Sequence, residues 1–175
     1  MLQLSGKSVN VLAPMMIVKD LFNKLTNALI INISSVSDRI PDAEFSLYCS
    51  SKAASTRYFE AVAKELPNSR TFNFLPTYVD TPLLKTIHKD DGFDFDPILK
   101  TNDIVRLIQK LEDGQLDIES GSNIIVVNSN FLEDLENYEK LYSYIADTEK
   151  LTKISWPVLQ QKFWTRQLVD RNPLL

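Results

Sequence analysis

Apolar side chains recur at intervals of three and four residues in three stretches of the chain, the spacing of helices with one buried side. These stretches run from Asn10 to Leu25, from Ser46 to Leu66 and from Ile104 to Leu111. Short stretches rich in apolar residues lie at Ala28 to Ser34, Arg70 to Leu75 and Asn123 to Asn128. Runs of this length are typical of strands buried on both faces. Strands that alternate with helices predict a parallel α/β sheet.

The remaining segments lack a strand pattern. Leu83 to Lys100 has few periodic apolar residues and contains Pro97, which predicts a mobile surface excursion that could cover a site. Phe131 to Ile145 and Trp156 to Val169 repeat with helical spacing. We therefore predict one sheet domain over residues 1–130 and a C-terminal helical extension over 131–175.

Composition narrows the class of protein. With 175 residues, 44% of them hydrophobic, the chain can form one ordinary core. Its 19 basic and 23 acidic residues are interspersed, which disfavours nucleic acid as a partner. No apolar stretch approaches the roughly 20 residues of a membrane helix, and no signal sequence follows Met1, so we predict a soluble cytoplasmic protein without a membrane partner. One cysteine, Cys49, and one histidine, His88, exclude an internal disulfide and a Cys/His zinc site, so no metal is predicted.

The candidate chemistry lies between Asn32 and Lys52. Ser35 ends the first predicted strand, and Tyr48 and Lys52 follow it thirteen and seventeen residues later on one helix face. An ammonium beside a phenol is expected to lower the pKa of the phenol, which makes Tyr48 a candidate proton donor. Ser35, at the carboxyl edge of the sheet, could hold a substrate carbonyl oxygen. Tyr-x-x-x-Lys also occurs by chance in helices where tyrosine packs and lysine is solvated, but the serine and the strand–loop–helix context favour a functional site.

In this combination the chain resembles the short-chain dehydrogenase/reductase family over roughly residues 10–128. The resemblance implies an Asn–Ser–Tyr–Lys tetrad at Asn10, Ser35, Tyr48 and Lys52, with NADP or NAD as the cofactor. It also implies that Tyr48, Lys52 and the loop residues Pro76, Val79 and Thr81 bind that cofactor, with Thr77 where the family usually has glycine. The implied fold is a partial Rossmann-like parallel sheet, the C-terminal half of the family fold, followed by the helical extension.

Local motifs resemble the sepiapterin reductase branch of that family. They are LYCSSKAA, KELPN and Ser120-Gly121 before the last predicted strand. Ile125 stands where that branch anchors its pterin with an aspartate, so the sequence favours a small carbonyl or alcohol substrate over a pterin. The family also implies a homodimer formed through the helices at 10–25 and 46–66.

The nucleotide-binding loop of the family is the feature that the sequence lacks. Such a loop is a glycine-rich turn between the first strand and helix. The only glycines are Gly6, Gly92, Gly114 and Gly121, and 31 residues precede Asn32. We therefore expect the N-terminal nucleotide-binding half to be missing and the first strand to be an open edge. Three interpretations remain open: an NAD(P)-dependent oxidoreductase, a catalytically inactive remnant that acts as a binding protein, and a fragment of a longer enzyme.

Overall fold

A five-stranded sheet with helices on both faces organises the protein. The computed structural model describes residues 8–40, 43–89, 92–93, 98–128 and 141–153. The strands are β1 (Leu29–Ile33), β2 (Arg70–Pro76), β3 (Ser122–Val127), β4 (Leu141–Ile145) and β5 (Lys150–Lys153). They lie side by side in that order, and only the β4–β5 pair is antiparallel. The predicted Rossmann-like α/β fold is confirmed.

Four α-helices accompany the described strands. They are α1 (Ala13–Leu21), α2 (Ser46–Glu65), α3 (Pro82–Ile87) and α4 (Thr101–Glu112). A π-helical turn over Ser8–Leu12 leads into α1, where Pro14 lies in the first turn, and a 3₁₀ turn over Phe22–Lys24 follows the helix. A second 3₁₀ turn covers Val36–Asp38. The helices and strands expected within 10–75 and 104–128 are therefore present, with ends displaced by a few residues.

Each strand sends alternate side chains to opposite faces of the sheet. One face packs against α4, and its core is apolar: Phe72, Phe74, Leu107, Leu111, Ile124 and Val126. The other face packs against α1 and α2, with a smaller apolar cluster of Val18, Ile30, Phe59, Val62 and Leu66. The carboxyl ends of β1, β2 and β3 meet at one edge because these strands are parallel.

Two predictions about irregular and helical segments are wrong, the first of them in part. In the surface excursion expected at 83–100, α3 forms directly after Thr81 and buries none of its residues, but Leu99 is fully buried and bridges to Val79, so the segment includes a packed end. The mobility of the segment stays a prediction. In the helix expected at 131–145, residues Leu141–Ile145 are a strand instead. The apolar spacing there also fits alternation, and the aromatic Tyr144 gains complete burial in the core by pairing with β3. The helix expected at 156–169 lies outside the described residues, and the domain boundary at residue 130 stays a prediction.

Candidate active site

The candidate site lies at the carboxyl edge of β1, where Ser35 caps the next turn. The Ser35 hydroxyl accepts a hydrogen bond from the Ser37 backbone N–H at 3.1 Å and donates to Ser37 Oγ at 3.2 Å. This capping bond orients the Ser35 side chain, which is buried. The same hydroxyl lies close enough to the Tyr48 phenol to influence its pKa, so the structure brings Ser35 and Tyr48 together.

Tyr48 lies in the first turn of α2 and is 39% exposed, which leaves its ring accessible to a ligand. Burial raises the pKa of the phenol, and the nearby Ser35 hydroxyl opposes this effect only in part. The expected lowering of the Tyr48 pKa is therefore wrong for this structure. Lys52, which was expected to lower this pKa, donates a hydrogen bond from its amine to the Ile33 carbonyl instead.

Lys52 lies one turn after Tyr48 on the same face of α2. Its Nζ donates to the Ile33 carbonyl at 2.9 Å and lies 5.8 Å from the centroid of the Tyr48 ring. Burial lowers the pKa of the ammonium, and the nearby Asp38 carboxylate raises it. An ammonium carries three donors. The bond to Ile33 uses one of them, so the other two can serve a ligand at the strand end.

Asn10 occupies the π-helical turn before α1 and connects this turn to α2. Its Nδ2 donates to Ser51 Oγ at 3.0 Å, and Ser51 Oγ donates to the Tyr48 carbonyl at 2.8 Å. Single π-helical turns are frequent at functional sites because they displace one side chain from the regular helical register. The four predicted tetrad residues thus lie on neighbouring elements, and Asn10 reaches the others through Ser51.

The predicted cofactor residues follow β2. Pro76 ends the strand and is buried, whereas Val79 bridges to Leu99 and packs against the apolar core. Thr81 caps α3, and its Oγ1 accepts from the Leu84 N–H at 3.2 Å. Thr77, in the expected glycine position, bonds through its backbone N–H to Val126 O at 3.1 Å. The loop therefore starts at the same sheet edge as Ser35, and its contact with a cofactor stays a prediction.

Beneath α2 lies a buried row of three asparagines that the sequence analysis missed. In this asparagine row, Asn32, Asn73 and Asn123 occupy paired positions of β1, β2 and β3. Asn32 Nδ2 donates to Asn73 Oδ1 at 2.9 Å, and Asn73 Nδ2 donates to Asn123 Oδ1 at 2.9 Å. The row ends on α2, where Asn123 Nδ2 donates to Glu60 Oε1 at 2.7 Å. The presence of asparagine within each of the three predicted strands was the signal that could have revealed this row.

Asp38 is the second feature that the sequence did not reveal. It ends the 3₁₀ turn that Ser35 begins, and its side chain is only 1% exposed. Burial raises the pKa of this carboxyl to about 6, although Arg39 and the Thr56 hydroxyl oppose the shift. The signal in the sequence was a charged residue directly after the apolar strand and its serines.

Other chemistry finds little support in the described residues. The described ranges contain no group of three or more His, Cys, Asp or Glu side chains placed to hold a metal ion. Cys49 is a buried free thiol, and His88 stacks on Phe93 with ring centroids 4.3 Å apart. Of the helices in the described part of the chain, none has the length and apolar character to cross a membrane.

Comparison with known proteins agrees with this geometry. Residues 7–92 match the family described as short chain dehydrogenase. A 4-hydroxyisoleucine dehydrogenase complexed with NADH is 26% identical with a TM-score of 0.55, over 68% of this chain and 55% of that chain. An apo SCOR enzyme from Clostridium thermocellum (22%, TM-score 0.55) and an angucycline C-6 ketoreductase with bound NADP (21%, TM-score 0.56) share the fold. The match to the SCOR enzyme covers 69% of this chain and 49% of the SCOR enzyme. The match to the ketoreductase covers 68% of this chain and 50% of the ketoreductase.

The matched segment covers just under half of the chain. Residues 7–92 are similar to the short chain dehydrogenase family, and the solved structures that resemble this chain include one complexed with NADH and one with bound NADP. The chain spans about half the length of the solved structures that it matches.

Proposed function

We propose that the protein is an NAD(P)-dependent oxidoreductase that reduces a small carbonyl compound, or oxidises the corresponding alcohol, at Ser35, Tyr48 and Lys52. The observation that carries the proposal is the pairing of the Ser35 hydroxyl with the half-exposed Tyr48 phenol beside the Lys52 ammonium. The family match, and the NADH complex of a 26% identical dehydrogenase, support the choice of cofactor.

The donor set at the strand end fits the ribose of a nicotinamide nucleotide. Lys52 has two donors beyond the one that it gives to Ile33, and ribose hydroxyls are suitable acceptors. When bound, the nucleotide supplies or accepts the hydride. Lys52 would then hold the ribose near Tyr48 and keep a positive charge beside the phenol.

The proposed reaction assigns one role to each side chain. Ser35 donates a hydrogen bond to the carbonyl oxygen of the substrate and orients it. As hydride reaches the carbonyl carbon, Tyr48 transfers its proton to the oxygen, so that an alcohol and a phenolate result. The positive charge of Lys52 stabilises that phenolate. In the oxidising direction the same groups act in reverse.

The substrate class, like the cofactor, is proposed from the family resemblance. We propose small carbonyl compounds, in a protein nearest to the sepiapterin reductase branch by its local motifs. Ile125, in the position of the pterin anchor, is fully buried, which disfavours a pterin substrate. A cytoplasmic location remains part of this proposal.

We also propose that a second copy of the chain packs on the helices at 10–25 and 46–66. In the first of these segments, Leu12, Met16 and Ile17 expose apolar side chains. Met16→Glu should turn a dimer into a monomer in light scattering of eluted protein. A wild-type chain that is monomeric at high concentration would contradict this.

Turnover tests the proposed reaction. NADPH and NADH oxidation would be followed with a panel of small ketones and aldehydes, with Tyr48→Phe against Tyr58→Phe as a control on the same helix. We expect Tyr48→Phe to abolish turnover because it removes the transferred proton, and Tyr58→Phe to retain it. Equal rates in the two variants would contradict the role of Tyr48. No turnover by the wild type with any compound would favour the binding-protein interpretation.

A further inference from the structure

The segment that carries Ser35 is attached to α2 at both of its ends. We call this segment, residues 34–40, the serine turn. At its start, Thr56 Oγ1 on α2 donates a hydrogen bond to Ser34 Oγ at 2.7 Å. The proposed reaction needs one fixed separation between Ser35 on this turn and Tyr48 on α2. Because a segment that is held at one end only can still swing, the contacts at the other end of the turn matter.

The other end of the serine turn is attached to α2 through Arg39. The Arg39 Nη2 donates a hydrogen bond to Glu60 Oε1 at 3.2 Å. Within residues 36–40, all of which the structure describes, no other side chain makes an aligned hydrogen bond to α2: Asp38 is buried without one, and Ile40 is buried by apolar contact. Apolar contact is non-directional. The bond from Arg39 to Glu60 is therefore the directional attachment of this end.

Glu60 is itself held from two further directions. Its Oε1 also accepts from Asn123 Nδ2 at 2.7 Å, which connects it to β3. Its Oε2 accepts from Arg57 Nη1 at 2.6 Å, on the solvent side of α2. The Glu60 side chain is only 18% exposed, whereas that of Arg57 is 70% exposed. One carboxylate thus joins the serine turn, the helix with Tyr48 and the end of the asparagine row.

A half-buried ion pair is an expensive way to gain stability. Desolvation of the two charges offsets most of their attraction, so an apolar pair of similar size often stabilises a fold equally well. A charged hydrogen bond does provide a defined direction. The Asp38 N–H bonds to the Ser35 carbonyl at 3.1 Å and the Arg39 N–H to the Val36 carbonyl at 3.0 Å, so the turn between Ser35 and Arg39 is closed by its own bonds. A fixed Arg39 therefore fixes Ser35.

We propose that Glu60 is a positioning residue, which holds the serine turn against α2 through Arg39 and so sets the separation of Ser35 and Tyr48. The attachment itself requires neither nucleotide nor substrate. Its consequence for catalysis rests on the proposed function, in which Ser35 and Tyr48 share one substrate oxygen. Arg57, bonded to the outer oxygen of the same carboxylate, is not part of this attachment.

Amide hydrogen exchange in the protein alone tests the attachment. In Glu60→Ala, the Asp38 and Arg39 amides of the turn should exchange faster by roughly tenfold to a hundredfold more than the Ala146 amide. The Ala146 N–H bonds to Val127 O at 2.8 Å, on the far side of the sheet, and reports general loss of stability. The control Arg57→Ala should leave the turn amides at wild-type rates. Equal acceleration of turn and Ala146 amides, or equal effects of Arg57→Ala and Glu60→Ala, would overturn the proposal.

Arg39→Met covers a Glu60→Ala chain that fails to fold. Methionine keeps an apolar stem and removes the donor, while the bond between Asn123 and Glu60 remains. The same turn amides should exchange faster than the Ala146 amide. In a folded double variant, Arg39→Met should add nothing to Glu60→Ala, because both changes remove the same bond. Wild-type exchange of the turn amides in Arg39→Met would overturn the proposal.

Turnover tests the consequence for the reaction. Arg39→Met should lower kcat by about tenfold to a hundredfold, because Ser35 and Tyr48 lose their fixed geometry. The KM for nucleotide should change less, because Lys52 keeps its own bond to the Ile33 carbonyl. A wild-type kcat in Arg39→Met would overturn the positioning role. If the wild type turns over no compound, the proposed function fails, and the exchange rates still decide whether Glu60 holds the turn.

Discussion

The two faces of the sheet bury different kinds of side chain: one is mainly apolar, and the other combines a smaller apolar cluster with hydrogen-bonded asparagines. Toward α4, the central strands present phenylalanine, isoleucine and valine to a predominantly apolar interface. Toward α2, the same strands present the asparagine row, which bonds along itself and then to Glu60. Apolar contacts are non-directional and tolerate small shifts, whereas hydrogen bonds hold only in one register. The face with directional bonds is the one that supports the helix with Tyr48 and Lys52.

This difference suggests a division of labour between stability and positioning. The apolar face has many interchangeable contacts, and its stabilisation grows with the area that it buries. The polar face gains less net free energy for each bond, because the same groups bond to water in the unfolded chain. What it provides is one relative position of α2 and β1, and therefore of Tyr48 and Ser35. Substitutions on the apolar face should therefore mainly lower stability, whereas substitutions in the asparagine row should also disturb the position of α2.

The largest expected effect is on the apolar face. Phe74→Ala should lower the free energy of unfolding by about 3–5 kcal/mol, because Phe74 is fully buried and leaves a cavity. Urea unfolding followed by circular dichroism measures it. Leu83→Ala, at an exposed position on α3, is the control and should change little. A Phe74→Ala chain as stable as the control would show that this face is not the main source of stability.

A pH-dependent effect comes next, at Asp38. A carboxyl whose pKa is raised from 3.8 to about 6 binds its proton more tightly in the folded state. Its stabilising contribution is therefore complete below pH 3.8 and is lost as the pH rises through about 6. A shift of this size corresponds to a loss on the order of 3 kcal/mol. Urea unfolding at several pH values should show this loss in wild type and not in Asp38→Asn. Equal pH slopes in the two proteins would contradict it.

The asparagine row should show a smaller effect on stability. Asn73→Ala leaves a donor on Asn32 and an acceptor on Asn123 buried without partners, which should cost about 1–3 kcal/mol. Asn102→Ala, in the exposed first turn of α4, is the matched control. If the row positions α2, Asn73→Ala should also weaken nucleotide binding although it lies away from the ligand. If the free energy of unfolding of Asn73→Ala equals that of Asn102→Ala, the asparagine row is not needed for the fold.

The apolar pattern was sufficient to predict most of the fold between residues 10 and 128. Short apolar-rich runs and an apolar spacing of three to four residues distinguish strands from helices there, because the strands are buried on both faces and the helices on one. The pattern failed at Leu141–Ile145, where the apolar spacing fits a strand as well as a helix and pairing with β3 decides the outcome. It also failed at Leu99, whose burial depends on a bridge to Val79 that no local pattern encodes.

The candidate site could be predicted in its residues but not in its electrostatics. Ser35, Tyr48 and Lys52 follow from spacing along one strand and one helix, so local geometry brings them close. The direction of the Tyr48 pKa depends on burial and on where the Lys52 amine points, and both are set by residues distant in sequence. Asp38 and the asparagine row are likewise visible only when strand register and helix packing are known.

Nucleotide titration tests the central claim most directly, namely that the helix with Tyr48 and Lys52 binds a nicotinamide nucleotide. NADPH and NADH fluorescence would be followed with wild type, Lys52→Ala and Lys64→Ala, the last an exposed lysine on the same helix. Loss of charge-assisted hydrogen bonds should weaken binding by roughly tenfold to a hundredfold in Lys52→Ala. Lys64→Ala should bind like wild type. Absence of binding by the wild type at millimolar nucleotide, or equal affinity in Lys52→Ala and Lys64→Ala, would contradict the account.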